Sequence, residues 1–329
     1  MLTSVVCRRE HWDCAWFARW ASLFSAAEPV GGTFVPRHIA YHRKIWEWAV
    51  ISQALDERGL LAPGMRGGGF AVGREPLASL FAQRGAEILA TDLGATDDAT
   101  QHWSAAGQHA ASLDALHWPD LIDRPRFDAR VRFIPQDMRA LNPGELGLFD
   151  FIWSSCSFEH LGTLEAGLQF VMRSTELLKP GGVAVHTTEF NISSDDATIT
   201  AGDNVLYRGR DIAALAQRLR LIGCALERFD PFPGTAPEDI DYDYPPFYEN
   251  GRQHVKLLLG GFVSTSCLLI ITKGRYPATL PPLADLALAP AGQEPPQTGT
   301  LAALRRSALW RAAARLRAPF RSLLGRRGT

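Results

Sequence analysis

Glu159 and His160 place an acid beside an imidazole, within Cys156-Ser157-Phe158-Glu159-His160-Leu161-Gly162. The segment follows a short apolar run, Phe149-Asp150-Phe151-Ile152-Trp153-Ser154-Ser155, which reads as a buried strand. The pair therefore falls at the strand end where an open α/β sheet presents side chains to a ligand. There an imidazole, mostly neutral at pH 7 with an unperturbed pKa near ~6.5, can remove a proton from an acceptor. Glu159 can orient that imidazole or bind the acceptor. The same two residues could instead cap the next helix and order the loop.

Other segments suit a nucleoside. In GFAVGREPL at 69–77, Gly73 supplies a tight turn ahead of a helix start with unpaired N–H groups. ILATD at 88–92 ends on Asp92, a carboxylate that can accept from both hydroxyls of a ribose. The 19 residues from Gly73 to Asp92 match the roughly 20 expected of a dinucleotide-type βαβ unit. In RFIPQDM at 132–138, Asp137 can accept from an adenine amino group while Met138 packs on the ring, unless Asp137 merely starts the next turn. His186, Glu189 and Asn191 follow a later strand and should line the same mouth, and His254 can approach from an insertion; loop hydrogen bonding is the alternative for each. No Cys/His/Asp/Glu spacing compels a metal, so none is assigned.

These groups need a scaffold, and the pattern predicts an α/β one. Strands are expected at 69–72, 87–91, 131–134, 149–153, 183–187, 225–229 and 264–272, with helices at 77–84, 164–178 and 211–221. Connections long enough for crossovers predict a mostly parallel seven-stranded sheet with helices on both faces, over residues 63–275. Lys179-Pro180-Gly181-Gly182 reads as a helix stop feeding a strand. Residues 1–62 read as a helical preface, with Trp12, Trp16, Trp20 and Phe24 on one apolar face and Ile45, Trp46, Ala49, Ile51 and Leu55 on a second. That preface either packs on the domain or forms a lid over its site.

Residues 276–300 are Pro-, Ala- and Gly-rich and read as a linker. Residues 301–329 hold eight arginines and no acid, so the rest of the chain carries −9 against a total of −1. A mildly acidic body argues against nucleic-acid binding. Leu309, Ala313, Leu316, Phe320 and Leu323 oppose Arg311, Arg315, Arg317 and Arg321, a basic amphipathic pattern that suits an anionic membrane surface, with a solvated tail as the alternative. Five scattered cysteines without a CxxC pair, and an N-terminus without a signal-length apolar stretch, lead us to expect a cytoplasmic protein, at the inner membrane face if the tail engages lipid.

In this order, GREPL, ATDL, PQDM, FDFIWSSCSFEHLG and LLKPGG resemble the motifs of class I S-adenosylmethionine-dependent methyltransferases over about residues 67–273. HRKIWEW at 42–48, VHTTEFN at 185–191, YPPF at 244–247 and HVKL at 254–257 are similar to a bacterial methyltransferase family associated with surface-glycan biosynthesis. The resemblance implies the Rossmann-like class I fold with S-adenosylmethionine as cofactor. It puts the methionine end at Ala71, Gly73 and Glu75, the ribose at Asp92 and the adenine at Leu93, Asp137 and Met138. Ser154 or Ser155 would border the sulfonium, and His160 would deprotonate a small-molecule or glycan hydroxyl. The chain departs from the class pattern where that has an acid near 69 and glycines near 71 and 75: here stand Gly69, Ala71 and Glu75. Glu75 could turn its departure into a contact by pairing with the cofactor's ammonium. A nicotinamide dehydrogenase would want a fuller G-x-G-x-x-G, which Gly73-Arg74-Glu75-Pro76 lacks. The remaining rival is a non-catalytic docking or regulatory subunit of a glycan-assembly complex.

Overall fold

The computed structural model describes residues 1–26, 39–94 and 108–274, so the expected linker and basic tail lie outside the described residues. The chain begins with strand β1 (Ser4–Val6) and helices α1 (Ala15–Ala26) and α2 (Arg43–Asp56). Then come β2 (Arg66–Gly69), α3 (Leu77–Gln83), β3 (Glu87–Asp92), α4 (Arg124–Arg130), β4 (Val131–Pro135), β5 (Phe149–Ser155), α5 (Leu164–Ser174) and β6 (Leu178–Asn191). Helix α6 (Gly209–Leu221) precedes β7 (Cys224–Leu226), β8 (Phe229–Asp230), β9 (Leu257–Leu259) and β10 (Phe262–Lys273).

All ten described strands join one mixed sheet, in the order β4-β3-β2-β5-β6-β10-β1-β8, with β7 and β9 also on β10. Strands β2 to β6 are mutually parallel, and β10 runs antiparallel to β6. The chain winds outward from β2 to β4 and resumes at β5 on β2's other side. That reversal opens a crevice at the carboxyl ends of β2 and β5, where doubly wound sheets hold ligands.

The seven-strand expectation is corrected to ten. The 225–229 segment is two strands, because β7 pairs with β10 and β8 pairs with β1. Strand β1 sits in what was read as a wholly helical preface; three residues are too short to display alternation, and only pairing with β10 makes them a strand. Strand β9 turns into β10 through Gly260 and Gly261, both at positive φ. Strand β2 ends at Gly69, three residues before the end that the sequence suggests, because Ala71 turns the chain out at φ 46°.

The glycines of β2 serve packing. A Cβ at Gly67 would lie 2.3 Å from the Phe151 ring, and one at Gly69 would lie 2.4 Å from Trp153. These are cross-strand partners on β5, so the bare strand admits two aromatic rings that Phe81 of α3 then meets edge-on. Helix α2 packs against β5, β6 and β10, with Trp46, Trp48, Val50, Ile51 and Leu55 all buried. Each such side chain contributes about 1.5–3 kcal/mol by burial. Together they offset the several kcal/mol per ion needed to desolvate the charges that α2 carries inward.

Candidate active site

The turn after β2 is held by backbone bonds to both neighbouring strands. Phe70 N donates to Trp153 O (3.0 Å) and Val72 N to Thr91 O (3.0 Å). Ala71 at φ 46° and Gly73 at φ 54° are both left-handed, a conformation that costs a non-glycine residue roughly 1–2 kcal/mol. Asp92, 7 % exposed at the tip of β3, accepts from Gly73 N (3.1 Å), Ala110 N (3.2 Å) and Leu93 N (2.9 Å). A carboxylate has about four acceptor sites, so one stays available for a hydroxyl. Burial raises the Asp92 pKa, opposed by those N–H groups and by His109. The segment after β3 crosses the turn: Gln108 O accepts from Arg74 N (3.0 Å) and would lie 2.8 Å from a Cβ at Gly73. Only glycine fits beneath it.

Asp137 lies close by along the chain, since Gln136 N donates to Asp92 O (2.7 Å). It caps a short 3-10 turn at Met138–Ala140 and pairs with Arg139 (2.7 Å). Burial would raise its pKa, but Arg139 overrides this and holds it below the usual carboxylate value. Met138 is buried and Leu93 half-buried.

Strand alternation separates the two serines that end β5. Ser154 faces the α5 side, where its Oγ lies 2.8 Å from His186 Nδ1, and His186 Nε2 lies 3.3 Å from Ser174 Oγ. His186 is fully enclosed beside Phe158 and Phe170, and burial pushes its pKa down to about 3. Ser155 faces α2, and its hydroxyl approaches Glu47 Oε2 (3.5 Å). Asn191 is spent on its own loop, accepting from Ser193 N and Ser194 N and donating to Ala197 O.

The α2 side of the sheet carries what the sequence did not disclose. Lys44 Nζ pairs with Glu47 Oε2 (2.6 Å) and reaches Glu75 Oε1 (3.4 Å). Arg43 pairs with Glu189, which also accepts from Ser264 Oγ (3.0 Å), while Ser266 Oγ donates to Glu47 Oε1 (2.5 Å). Glu159, fully buried, accepts from Thr188 Oγ1 (3.0 Å). Cys156 sits among them at φ 43°, its Sγ 3.7 Å from Ser266 Oγ. Four carboxyls face two cations. Burial lifts Glu75 to about 7, against the pull of Lys44, and lifts Glu159 to about 8, with Glu189 adding repulsion. Two retained protons would leave the cluster neutral. Arg43 Nη1 is buried and hydrogen-bonds to nothing among the described residues, while Glu75 Oε2, beside Trp48 and Ser155, and Glu159 Oε1 have no well-aligned partner there. Sites with such orphaned atoms usually serve something other than stability. The signal in the sequence was Lys44 and Glu47, three residues apart within an otherwise apolar helical face.

His160 ends a 3-10 turn after β5, with Nδ1 2.6 Å from Asp203 O. A carbonyl only accepts, so the proton is assigned to Nδ1 and the lone pair to Nε2. Burial lowers its pKa, opposed by the Asp203 carbonyl and Glu189. Thr163 then caps α5 by accepting from Ala166 N (3.1 Å), so capping falls to Thr163 rather than to Glu159 or His160. His254 lies on the insertion before β9, buried and with Nδ1 2.7 Å from Asp243 Oδ2. Among the described residues, no helix is long and apolar enough to cross a membrane.

No family model matches the sequence, and no curated protein does. Solved structures similar to it include the magnesium protoporphyrin IX methyltransferase of Synechocystis PCC 6803 with bound SAH, at 13 % identity and TM-score 0.43, covering 81 % of this chain and 98 % of that one. An S-adenosylmethionine-dependent methyltransferase from Mesorhizobium loti aligns at 16 % identity and TM-score 0.39, covering 67 % of this chain and 96 % of that one. The CcbJ methyltransferase from Streptomyces caelestis aligns at 12 % identity and TM-score 0.41, covering 74 % and 100 %. Superpositions this loose say nothing about chemistry.

Proposed function

We propose that this chain is an S-adenosylmethionine-dependent methyltransferase acting on a hydroxyl oxygen of a small-molecule or glycan acceptor. The observation that carries the proposal is Glu75: a carboxyl buried beside the glycine turn, with Trp48 and Ser155 next to it and one oxygen without a well-aligned hydrogen bond among the described residues. A cationic ligand on that turn would supply the missing partner. The cofactor's ammonium is such a cation, so the residues present fit it.

S-adenosylmethionine supplies a methyl group already activated on a sulfonium, so the protein has to bind, align and accept one proton. Ala71, Gly73 and Glu75 would hold the methionine end. Asp92 would use its fourth acceptor position on the ribose, and Leu93, Asp137 and Met138 would flank the adenine. Ser155 would border the sulfonium. His160 Nε2 would take the proton of the acceptor hydroxyl. Glu159 would order the loop from within the buried cluster, where it accepts from Thr188 and where Glu189 pairs with Arg43.

The charge balance gives a pH dependence. Glu75 at about 7 is half protonated in the free protein at neutral pH, and only its anion pairs with an ammonium. Affinity for S-adenosylmethionine should therefore rise from pH 6 to pH 8 and then level off, and Glu75→Gln should flatten the profile; calorimetric titration across this range checks it. Free-protein stability should move the opposite way. The unfolded carboxyls ionise near ~4.5, so Glu75 and Glu159 bind protons that the unfolded chain has lost, and their contribution fades as pH rises through about 7 and 8.

The basic tail supports a peripheral membrane role in the same proposal. Deleting residues 301–329 should release the protein from anionic vesicles in a sedimentation assay without changing cofactor affinity. Unchanged partitioning would remove the membrane from the account.

One observation favours a non-catalytic docking subunit: the carboxylates of Asp92 and Asp137 already have backbone and Arg139 partners. Incubation of the full chain with labelled S-adenosylmethionine and fractionated cell-envelope glycans and small metabolites separates the two readings. Label in a hydroxylated fraction is expected. Cofactor binding with no transfer to any fraction would favour the docking subunit.

A further inference from the structure

In the first turns of α2, Glu47 and Trp48 follow Lys44 by three and four residues, so the three side chains share one helix face. That face meets the turn after β2, where Glu75 is buried with Trp48 and Ser155 next to it. One ammonium, that of Lys44, thus serves two carboxylates, and it serves them unequally. Its Nζ lies 2.6 Å from Glu47 Oε2, a close ion pair, and 3.4 Å from Glu75 Oε1, past the optimum for a charge-assisted hydrogen bond. Glu47 is anchored from the sheet. Ser266 Oγ donates to its Oε1 at 2.5 Å, and Ser155 Oγ stands 3.5 Å from its Oε2. The neighbouring cation, Arg43, is taken up by Glu189.

The asymmetry has an electrostatic consequence. Lys44 is only 20 % exposed, so its charge needs a partner close by. Glu47 supplies it, and the Lys44–Glu47 pair is neutral as a unit. For Glu75 only the longer contact to that ammonium remains. A second cation arriving at the turn therefore meets a carboxylate whose internal counter-charge is held elsewhere. Were Glu47 neutral, the flexible four-carbon stem of Lys44 would let its ammonium settle on Glu75 instead. The incoming cation would then have to displace it.

We propose that Glu47 is a positioning residue for the cofactor: it retains the Lys44 ammonium and so leaves the Glu75 carboxylate to the ammonium of the methionine end. The inference rests on the assignment of Glu75 to that end. It adds that the first turns of α2, and not the turn after β2 alone, set the affinity for the charged end of the cofactor.

Calorimetric titration of the full chain at pH 8, above the Glu75 pKa that burial lifts to about 7, tests it. S-adenosylhomocysteine is one probe, and its analogue with hydrogen in place of the amino group is the other. Glu47→Gln should weaken S-adenosylhomocysteine about tenfold and the deaminated analogue less than about twofold. Glu47→Asp keeps the charge but withdraws it by one methylene, and should show the same selective loss at roughly threefold. In a Lys44→Met background, Glu47→Gln should cost less than about twofold, because no internal cation is left to move. Equal losses for both probes would make Glu47 structural, and equal losses with and without Lys44 would make it a direct attraction for the ligand. Either result, or unchanged affinity in both Glu47 variants, overturns the proposal. If S-adenosylhomocysteine does not bind the wild-type chain, the cofactor reading falls and takes this inference with it; binding that ignores Glu47 removes this inference alone.

Discussion

Alanine at His160 is expected to lower methyl transfer by roughly 10²–10⁴-fold, the range for a positioned general base, while cofactor affinity stays within about twofold. The reason is directional. Asp203 O fixes the proton on Nδ1, so Nε2 carries the lone pair that takes the hydroxyl proton. Because burial lowers the His160 pKa, activity should persist somewhat below pH 6.5 before the imidazole is lost to protonation. Label transferred from S-adenosylmethionine into the active fraction measures the effect, and calorimetry on the same variant measures binding. Undiminished transfer would leave His160 as a loop-ordering residue tied to Asp203.

Glu189→Ala should destabilise the fold by about 3–5 kcal/mol, the usual penalty for leaving a buried charge without its partner. Arg43 is the charge left behind: its guanidinium pairs with Glu189, one of its nitrogens already lacks a hydrogen bond among the described residues, and Ser264 would lose its acceptor too. Geometry alone would not single this pair out, since Arg210 and Asp196 also meet. That pair is 42 % and 91 % exposed, and water screens it, so Asp196→Ala should leave stability essentially unchanged. Urea denaturation of the two variants makes the comparison. Near-equal midpoints would mean that Arg43 is solvated in the folded protein and that the charged cluster is open to water.

The sequence disclosed those parts of the site that local pattern encodes. Gly73 and Asp92 could be read because turn, helix and strand occupy one short stretch, and the structure joins them through a single hydrogen bond, Gly73 N to Asp92 Oδ2. Strand β5 was legible because Phe149 to Trp153 is apolar but for Asp150. The two serines at its end were not distinguishable, since which face of a strand is the functional one depends on what covers it. Helix α2 covers the Ser155 face and brings Arg43, Lys44 and Glu47 with it. In a sequence, charges on a helix read as a solvated face; only burial against β5, β6 and β10 turns them inward. Of the two expectations for the preface, packing describes α2, yet its head also furnishes the site. Short strands were the other omission, because β1 and β8 derive their conformation from pairing rather than from their own residues. His42, Tyr248, His254 and Asp243 hydrogen-bond in series across more than two hundred positions, a distance over which periodicity carries no information.

Two acids on one rim, Glu75 in the turn and Asp92 at the neighbouring strand tip, are assigned here to opposite ends of one adenosyl cation, and direct calorimetric titration of the purified chain with S-adenosylmethionine tests that most directly. The account predicts one saturable site, displaced by S-adenosylhomocysteine and weakened about a hundredfold in Asp92→Ala, equivalent to roughly 2.7 kcal/mol. Thermal unfolding of the variant would verify that the turn survives the loss of its three backbone contacts. Absence of heat with the wild-type chain at millimolar cofactor, together with no displacement of labelled S-adenosylmethionine by S-adenosylhomocysteine, would contradict it.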